Sequence, residues 1–169
     1  LSEHLEILNV QKYIKNNDYI ADIGCGNGYF AFCCIDKLYV NVEGVDLSDE
    51  MIKVAKEAQL QLPYDKQQRV SFRVGNVLKT NLKDNTYDKV VTKRCLINLL
   101  TKNEQAEAFK EIHRILKPGG LYLMCENTEQ GLNNLNEIRK LANLDIIEIR
   151  WHNLYIDENK IPDYIQGLF

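Results

Sequence analysis

A chain of 169 residues, 45% hydrophobic and 27% charged, is long enough for one domain with a buried core. It has no run of eighteen apolar residues and no basic-then-apolar leader, so neither a spanning helix nor a membrane partner is expected, and the sequence reads as cytoplasmic. With 21 basic against 24 acidic residues it lacks the general positive charge that draws proteins to phosphate backbones, which argues against a nucleic-acid partner.

Strand-like apolar runs alternate with helix-length amphipathic stretches. A first helix is predicted from Glu3 to Ile14, with Leu5, Leu8 and Tyr13 among its apolar positions. Tyr19 to Ile23 reads as a buried strand, Tyr29 to Lys37 as a helix and Val40 to Val45 as a second strand. Ser48 can cap the next helix, with Asp49 and Glu50 well placed in its first turn, and Pro63 lies just beyond its end. Val70 to Val74 and Tyr87 to Val91 read as strands three and four. Thr101 and Glu104 have capping-box spacing, and Ala106, Phe109, Ile112 and Leu116 form the apolar stripe of the helix they open. Pro118-Gly119-Gly120 is expected to end that helix, before a fifth strand at Leu121 to Cys125, a helix at Leu132 to Leu141 and a sixth strand at Ile146 to Trp151. This order predicts an α/β fold with a doubly wound, mostly parallel sheet, in a single domain over residues 1–169. The chain opens on Leu1 and stops on the apolar run Ile165-Gln166-Gly167-Leu168-Phe169, which reads as a C-terminus cut short. The sixth strand would then lack a partner or be covered by the tail.

The most informative segment is Asp22-Ile23-Gly24-Cys25-Gly26-Asn27-Gly28, a glycine-rich turn between a buried strand and a helix. Such a turn lets the backbone approach a ligand where a Cβ would collide. A dinucleotide loop would need its third glycine at the position of Tyr29, and a carboxylate at Asp22 would repel a pyrophosphate. Asp22 suits an ammonium group instead. Asp46, 22 residues after Gly24 at the end of the second strand, has the offset at which an acid reaches ribose hydroxyls. Gly75-Asn76-Val77, at the end of the third strand, offers an amide and apolar walls to a purine. Plainer roles are open to the same residues: Asp22 or Asp46 as helix caps and Asn76 as a turn residue. Taken together, the loop, the acid and the amide describe a pocket for S-adenosyl-L-methionine, a ligand with an amine and a nucleoside but no phosphate.

On these residues, and on Leu116-Lys117-Pro118-Gly119-Gly120, the sequence resembles the class I S-adenosylmethionine-dependent methyltransferases over residues 10 to 150. The resemblance implies a Rossmann-like fold, helices on both faces of the sheet, and a cofactor site made of Asp22, Gly24, Cys25, Gly26, Gly28, Asp46, Leu47, Met51, Asn76, Val77 and Lys93. Asn76 departs from the aspartate common in that family; its amide oxygen can still accept the adenine amino proton, through a weaker bond.

The expected reaction is methyl transfer to a small-molecule acceptor, at a hydroxyl oxygen, with a non-catalytic cofactor-binding module as the alternative. Lys93 and Arg94 follow the fourth strand at the carboxyl edge of the sheet, where parallel sheets bind ligands. His152, just after the predicted sixth strand, is the candidate base, with Lys93 and Glu126 as rivals. The motif Asn/Asp-Pro-Pro-Tyr, used by resembling enzymes on exocyclic or amide nitrogen, is replaced by Thr92-Lys93-Arg94-Cys95. Cys25, Cys33, Cys34, Cys95 and Cys125 form no Cys-x-x-Cys pair and no carboxylate cluster is visible, so neither disulfides nor a metal is expected.

Overall fold

The computed structural model describes Ser2–Leu168; Leu1 and Phe169, the extreme ends, lie outside the described residues. In chain order the elements are α1 (Ser2–Gln11), β1 (Tyr19–Ile23), α2 (Tyr29–Lys37), β2 (Asn41–Asp46), α3 (Asp49–Gln59), α4 (Tyr64–Gln67), β3 (Val70–Val74), β4 (Tyr87–Lys93), α5 (Lys102–Ile115), β5 (Leu116–Cys125), α6 (Glu129–Leu141) and α7 (Ile161–Ile165), with 3-10 turns at Leu96–Asn98 and Glu158–Lys160.

Ile20, Ala21, Asp22 and Ile23 are all buried, and a strand covered on both faces belongs in the middle of a parallel sheet. β1 accordingly takes β2 on one side, Ile23 opposite Val45, and β4 on the other, Ile23 opposite Thr92. The order β3-β2-β1-β4-β5 is parallel throughout, and the direction of winding reverses between β1 and β4. Ligands of such sheets bind at the carboxyl ends of the strands flanking that reversal.

Alternation along the strands feeds two cores. Ile20 and Val42 join Ile7, Phe30, Cys34 and Ile52 from α1, α2 and α3 on one face. Ala21, Ile23 and Val90 join Phe109, Ile112 and Ile115 of α5 on the other. The caps form as the sequence predicts: the Ser48 hydroxyl accepts the Met51 N–H at 3.2 Å, and Thr101 and Glu104 make both bonds of a capping box.

Two sequence expectations are corrected. Lys117-Pro118-Gly119-Gly120 does not separate helix from strand but bulges within β5: Leu116 already pairs with Tyr87, and the ladder resumes at Leu121 opposite Lys89. The expected sixth strand, Ile146 to Trp151, does not form, and β5 ends the sheet among the described residues. The N–H and C=O of Ile147 are bonded to the Asn136 side-chain amide of α6, at 2.8 and 2.9 Å, so they are not available to a strand ladder. Nor does a seventh strand follow among the described residues. The tail crosses the carboxyl edge, where Leu154 donates its N–H to Ile97 and the buried Ile156 exchanges bonds with Asn127 and Glu129. It then lays Tyr164 of α7 against Phe109, ring centres 5.5 Å apart. No helix among the described residues is long and apolar enough to cross a membrane.

Candidate cofactor and acceptor site

The turn from β1 into α2 is held by β2: the N–H groups of Gly24 and Cys25 both donate to the Val45 carbonyl, at 2.7 and 3.1 Å. Gly24, at φ +77°, is pressed so close to the loop after β4 that a Cβ would lie 2.7 Å from Cβ and Sγ of Cys95. Gly28, at φ +80°, opens α2 against the rings of Phe72 and Phe32 with no room for a side chain. The loop is therefore fixed in shape with its inner edge bare of side chains.

Asp46 fastens the same loop, one carboxylate oxygen accepting the Gly26 N–H at 2.7 Å and the other the Ser48 N–H at 2.9 Å. Each oxygen keeps a lone pair for a further donor. Asp46 is partly exposed in a cavity of about 220 Å³, which Leu47, Asn76, Val77, Gly24 and Cys95 also line. The Asn76 amide oxygen accepts the Leu78 N–H at 2.9 Å. The turn role and the ligand-facing role thus coexist in one residue.

A second cavity of about 180 Å³ adjoins the first through Gly24 and is lined by Asp22, Cys25, Gly26, Lys93 and Arg94. Asp22 is 2% exposed, and its Oδ2 is buried with no hydrogen-bond partner among the described residues. Burial pushes its carboxyl up from the ordinary 3.8 to about 7, against the pull of the Lys93 ammonium and with a further push from Asp46. A buried carboxylate with an open lone pair is a socket for a cation. The thiols of Cys25 and Cys95 are pushed well above their ordinary range by burial and by neighbouring carboxylates, so both are neutral walls and not nucleophiles.

A third cavity of about 460 Å³ opens beside the other two and is lined by Arg94, Asn98, Asn127, Arg150, His152 and Asn153, among others. Arg94 borders all three cavities. It sits at φ +52°, donates its backbone N–H to Cys125 at 2.9 Å, and grips both carboxylate oxygens of Glu6 on α1 at 2.8 and 3.0 Å. Glu126, at the end of β5, is spent on the backbone: it accepts the Cys95 and Ile97 N–H groups at 3.0 and 3.3 Å and so shapes the Leu96–Asn98 turn. Burial raises its pKa, which these bonds only partly offset.

Of the residues expected to bind cofactor, Asp22, Gly24, Cys25, Gly26, Asp46, Leu47, Asn76, Val77 and Lys93 line the first two cavities, and Gly28 fixes the loop behind them. Met51 does not join them; it lies half-exposed on the first turn of α3, outside both linings. His152 lines the third cavity although the strand expected to carry it does not form; it is exposed, edge-on to Trp151. Cys95 and Asn98 were not foreseen as walls of the site, and only the bareness of Gly24 hints at the first of them.

The unpartnered Asp22 oxygen, the open lone pairs of Asp46 and the bare glycine turn, with Leu47, Asn76 and Val77 as walls, are chemically suited to S-adenosylmethionine: an acid for an ammonium, an acid for hydroxyls, and an amide with apolar walls for a purine. Two carboxylates beside the loop speak against a pyrophosphate.

Comparison with known proteins agrees. The chain is 36% identical over 124 residues to an uncharacterized methyltransferase of Schizosaccharomyces pombe, covering 70% of this chain and 42% of that protein. It is 35% identical over 122 residues to the demethylmenaquinone methyltransferase of Lactiplantibacillus plantarum, covering 71% and 49%. The chain thus spans less than half the length of these relatives. The solved structure of an S-adenosylmethionine-dependent methyltransferase from Methanosarcina mazei shares the fold, with a TM-score of 0.73 at 23% identity over 95% of this chain and 82% of the other. Residues 20–120, which hold the glycine turn, Asp46, Asn76 and Lys93, match the methyltransferase domain family, and the chain belongs to it.

Proposed function

We propose that this chain transfers the methyl group of S-adenosylmethionine to a hydroxyl oxygen of a small-molecule acceptor bound in the third cavity. The observation that carries this reading is the junction at Arg94 and Asn98, which places a cleft of small-ligand size directly beside the cofactor cavities. A module that only bound the cofactor would have no need of it.

The bound cofactor supplies a methyl group already activated by a sulfonium. The protein's task is then to align the acceptor and exclude water. The carboxyl ends of β1 and β4 fix the cofactor side, and the Leu96–Asn98 turn, held by Glu126, fixes the wall between the ligands. We assign proton removal from the acceptor to His152, the imidazole in the acceptor cleft. Lys93 lies instead in the cavity of Asp22.

The test is release of S-adenosylhomocysteine when the protein and S-adenosylmethionine are incubated with a small-metabolite extract. Release that requires the extract supports the reading. Tight cofactor binding with no release in any extract favours the binding-module alternative.

A further inference from the structure

The third cavity is walled on one side by the segment between α6 and the tail. Asn136 of α6 holds the start of this segment through both backbone groups of Ile147. Its end is fixed by Leu154, whose N–H donates to Ile97 at 2.7 Å, and by the Asn153 amide, which donates to the Asn98 side chain at 3.1 Å. Between these anchors Glu148, Arg150 and His152 line the cavity at alternate positions, while Ile149 and Trp151 stay out of it and are exposed. The order along the wall is an acid, a cation and a base. Neither Glu148 nor Arg150 has an ion pair or a side-chain hydrogen bond among the described residues, with each other or with any other group. Arg94, the other cation of the cavity, is already gripped by Glu6.

We propose that the acceptor is a small hydroxylated amino acid: Arg150 binds its carboxylate, Glu148 binds its ammonium, and its hydroxyl faces His152. This assignment rests on the acceptor reading of the third cavity given above. Two opposite charges left open in one cleft are answered together only by a ligand that carries both. A neutral sugar or alcohol would leave both unanswered, and a plain acid would bring its carboxylate up beside Glu148 with nothing to offset it. A phosphate, with about 1.5 to 2 negative charges, exceeds what one guanidinium beside a carboxylate balances. An amine paired with Glu148 is held protonated and lacks the lone pair that attack on a methyl group requires, which leaves the hydroxyl as nucleophile. Glu148 and Arg150 are thus specificity residues for the acceptor, beside the base that deprotonates it.

The test is release of S-adenosylhomocysteine by the 169-residue chain, given S-adenosylmethionine and a small-metabolite extract split by ion exchange into neutral, acidic, basic and zwitterionic fractions. Release should require the zwitterionic fraction. With that fraction, Arg150→Met and Glu148→Gln should each raise the amount needed for half-maximal release by roughly ten- to a hundredfold, the factor of one hydrogen bond to a charged group. Arg150→Lys should recover part of the loss, and calorimetric affinity for S-adenosylhomocysteine should stay the same in all three variants. Release driven by the neutral, acidic or basic fraction overturns the assignment, as does an unchanged requirement in Arg150→Met or Glu148→Gln. Weaker S-adenosylhomocysteine binding in those variants, the mark of a general structural role, overturns it too. Release with no fraction contradicts the acceptor reading itself and takes this assignment with it.

Discussion

Asp22 is held in an environment that opposes its charge, and replacing it by asparagine should separate stability from ligand binding. In the unfolded chain this carboxyl titrates near 3.8, and in the fold near 7. Between those values the unfolded state releases a proton that the folded state keeps, so folding is progressively disfavoured as pH rises. At 1.36 kcal/mol per unit, the penalty is roughly 2 kcal/mol at pH 5 and roughly 4 kcal/mol at pH 8, so about 2 to 3 kcal/mol is added between them. Asp22→Asn removes the titration and keeps the size. Relative to wild type its melting temperature should therefore gain more at pH 8 than at pH 5, by roughly 5 to 10 °C at 2 to 4 °C per kcal/mol for a chain of this length. The same variant should lose most of its affinity for S-adenosylhomocysteine, whose ammonium has lost its partner. Thermal melts at the two pH values, with calorimetry at pH 8, provide both readings. A stability difference that is the same at pH 5 and pH 8, or a variant less stable than wild type at pH 8, refutes the reasoning.

Other substitutions probe other links. Asp46→Ala should weaken S-adenosylhomocysteine binding by roughly 1.5 to 3 kcal/mol, the worth of hydrogen bonds to a charged group, in a chain that still melts cooperatively; unchanged calorimetric affinity would take the ribose from Asp46. Gly24→Ala combines a left-handed backbone with a Cβ 2.7 Å from Cys95, and should cost roughly 2 to 4 kcal/mol of unfolding free energy in urea, from about 1 to 2 for the conformation and the rest for overpacking. Glu111 accepts the Thr80 N–H and hydroxyl at 2.7 and 2.6 Å and pairs with Arg114; burial opposes its charge, but these bonds hold its pKa down to about 2. Its stabilisation is present above its ordinary range and lost as pH falls toward 2, so Glu111→Gln should flatten the acid limb of the stability profile, measured by urea melts from pH 7 to pH 3. Once an acceptor is identified, His152→Ala should lower turnover at saturating substrate by roughly a hundredfold or more; near-wild-type turnover would remove His152 from the mechanism.

What could be read from the sequence was whatever lies in contiguous segments. β1, its glycine turn and α2 form one unbroken stretch, so the loop, Asp22 and the entry to the helix were legible together, as were Asp46 and Asn76 at the ends of strands with clear apolar runs. Residues joined only by the fold were harder. Glu6 reaches Arg94 across 88 positions, and Glu126 reaches the Leu96–Asn98 turn from the neighbouring strand. The sixth strand was misread because Ile146-Ile147-Glu148-Ile149 has the composition of a strand, whereas a strand also needs a neighbour with open backbone groups. Here Asn136 takes those of Ile147, and the segment stays exposed with Trp151 at 95% accessibility. Lys117-Pro118-Gly119-Gly120 has the look of a stop, yet a bulge admits both proline and a positive-φ glycine within a strand. His152 lines the cavity beside Arg94 and Asn98 because the tail carries it there, not a strand.

The claim on which the account depends is that the glycine turn, Asp22 and Asp46 form a nucleoside site for a ligand without phosphate. Calorimetric titration of the 169-residue chain with S-adenosylhomocysteine, and in parallel with NADH, tests it most directly. Saturable binding of one S-adenosylhomocysteine per chain and no heat from NADH are expected. A folded chain that leaves S-adenosylhomocysteine unbound, or that binds NADH in its place, contradicts that claim.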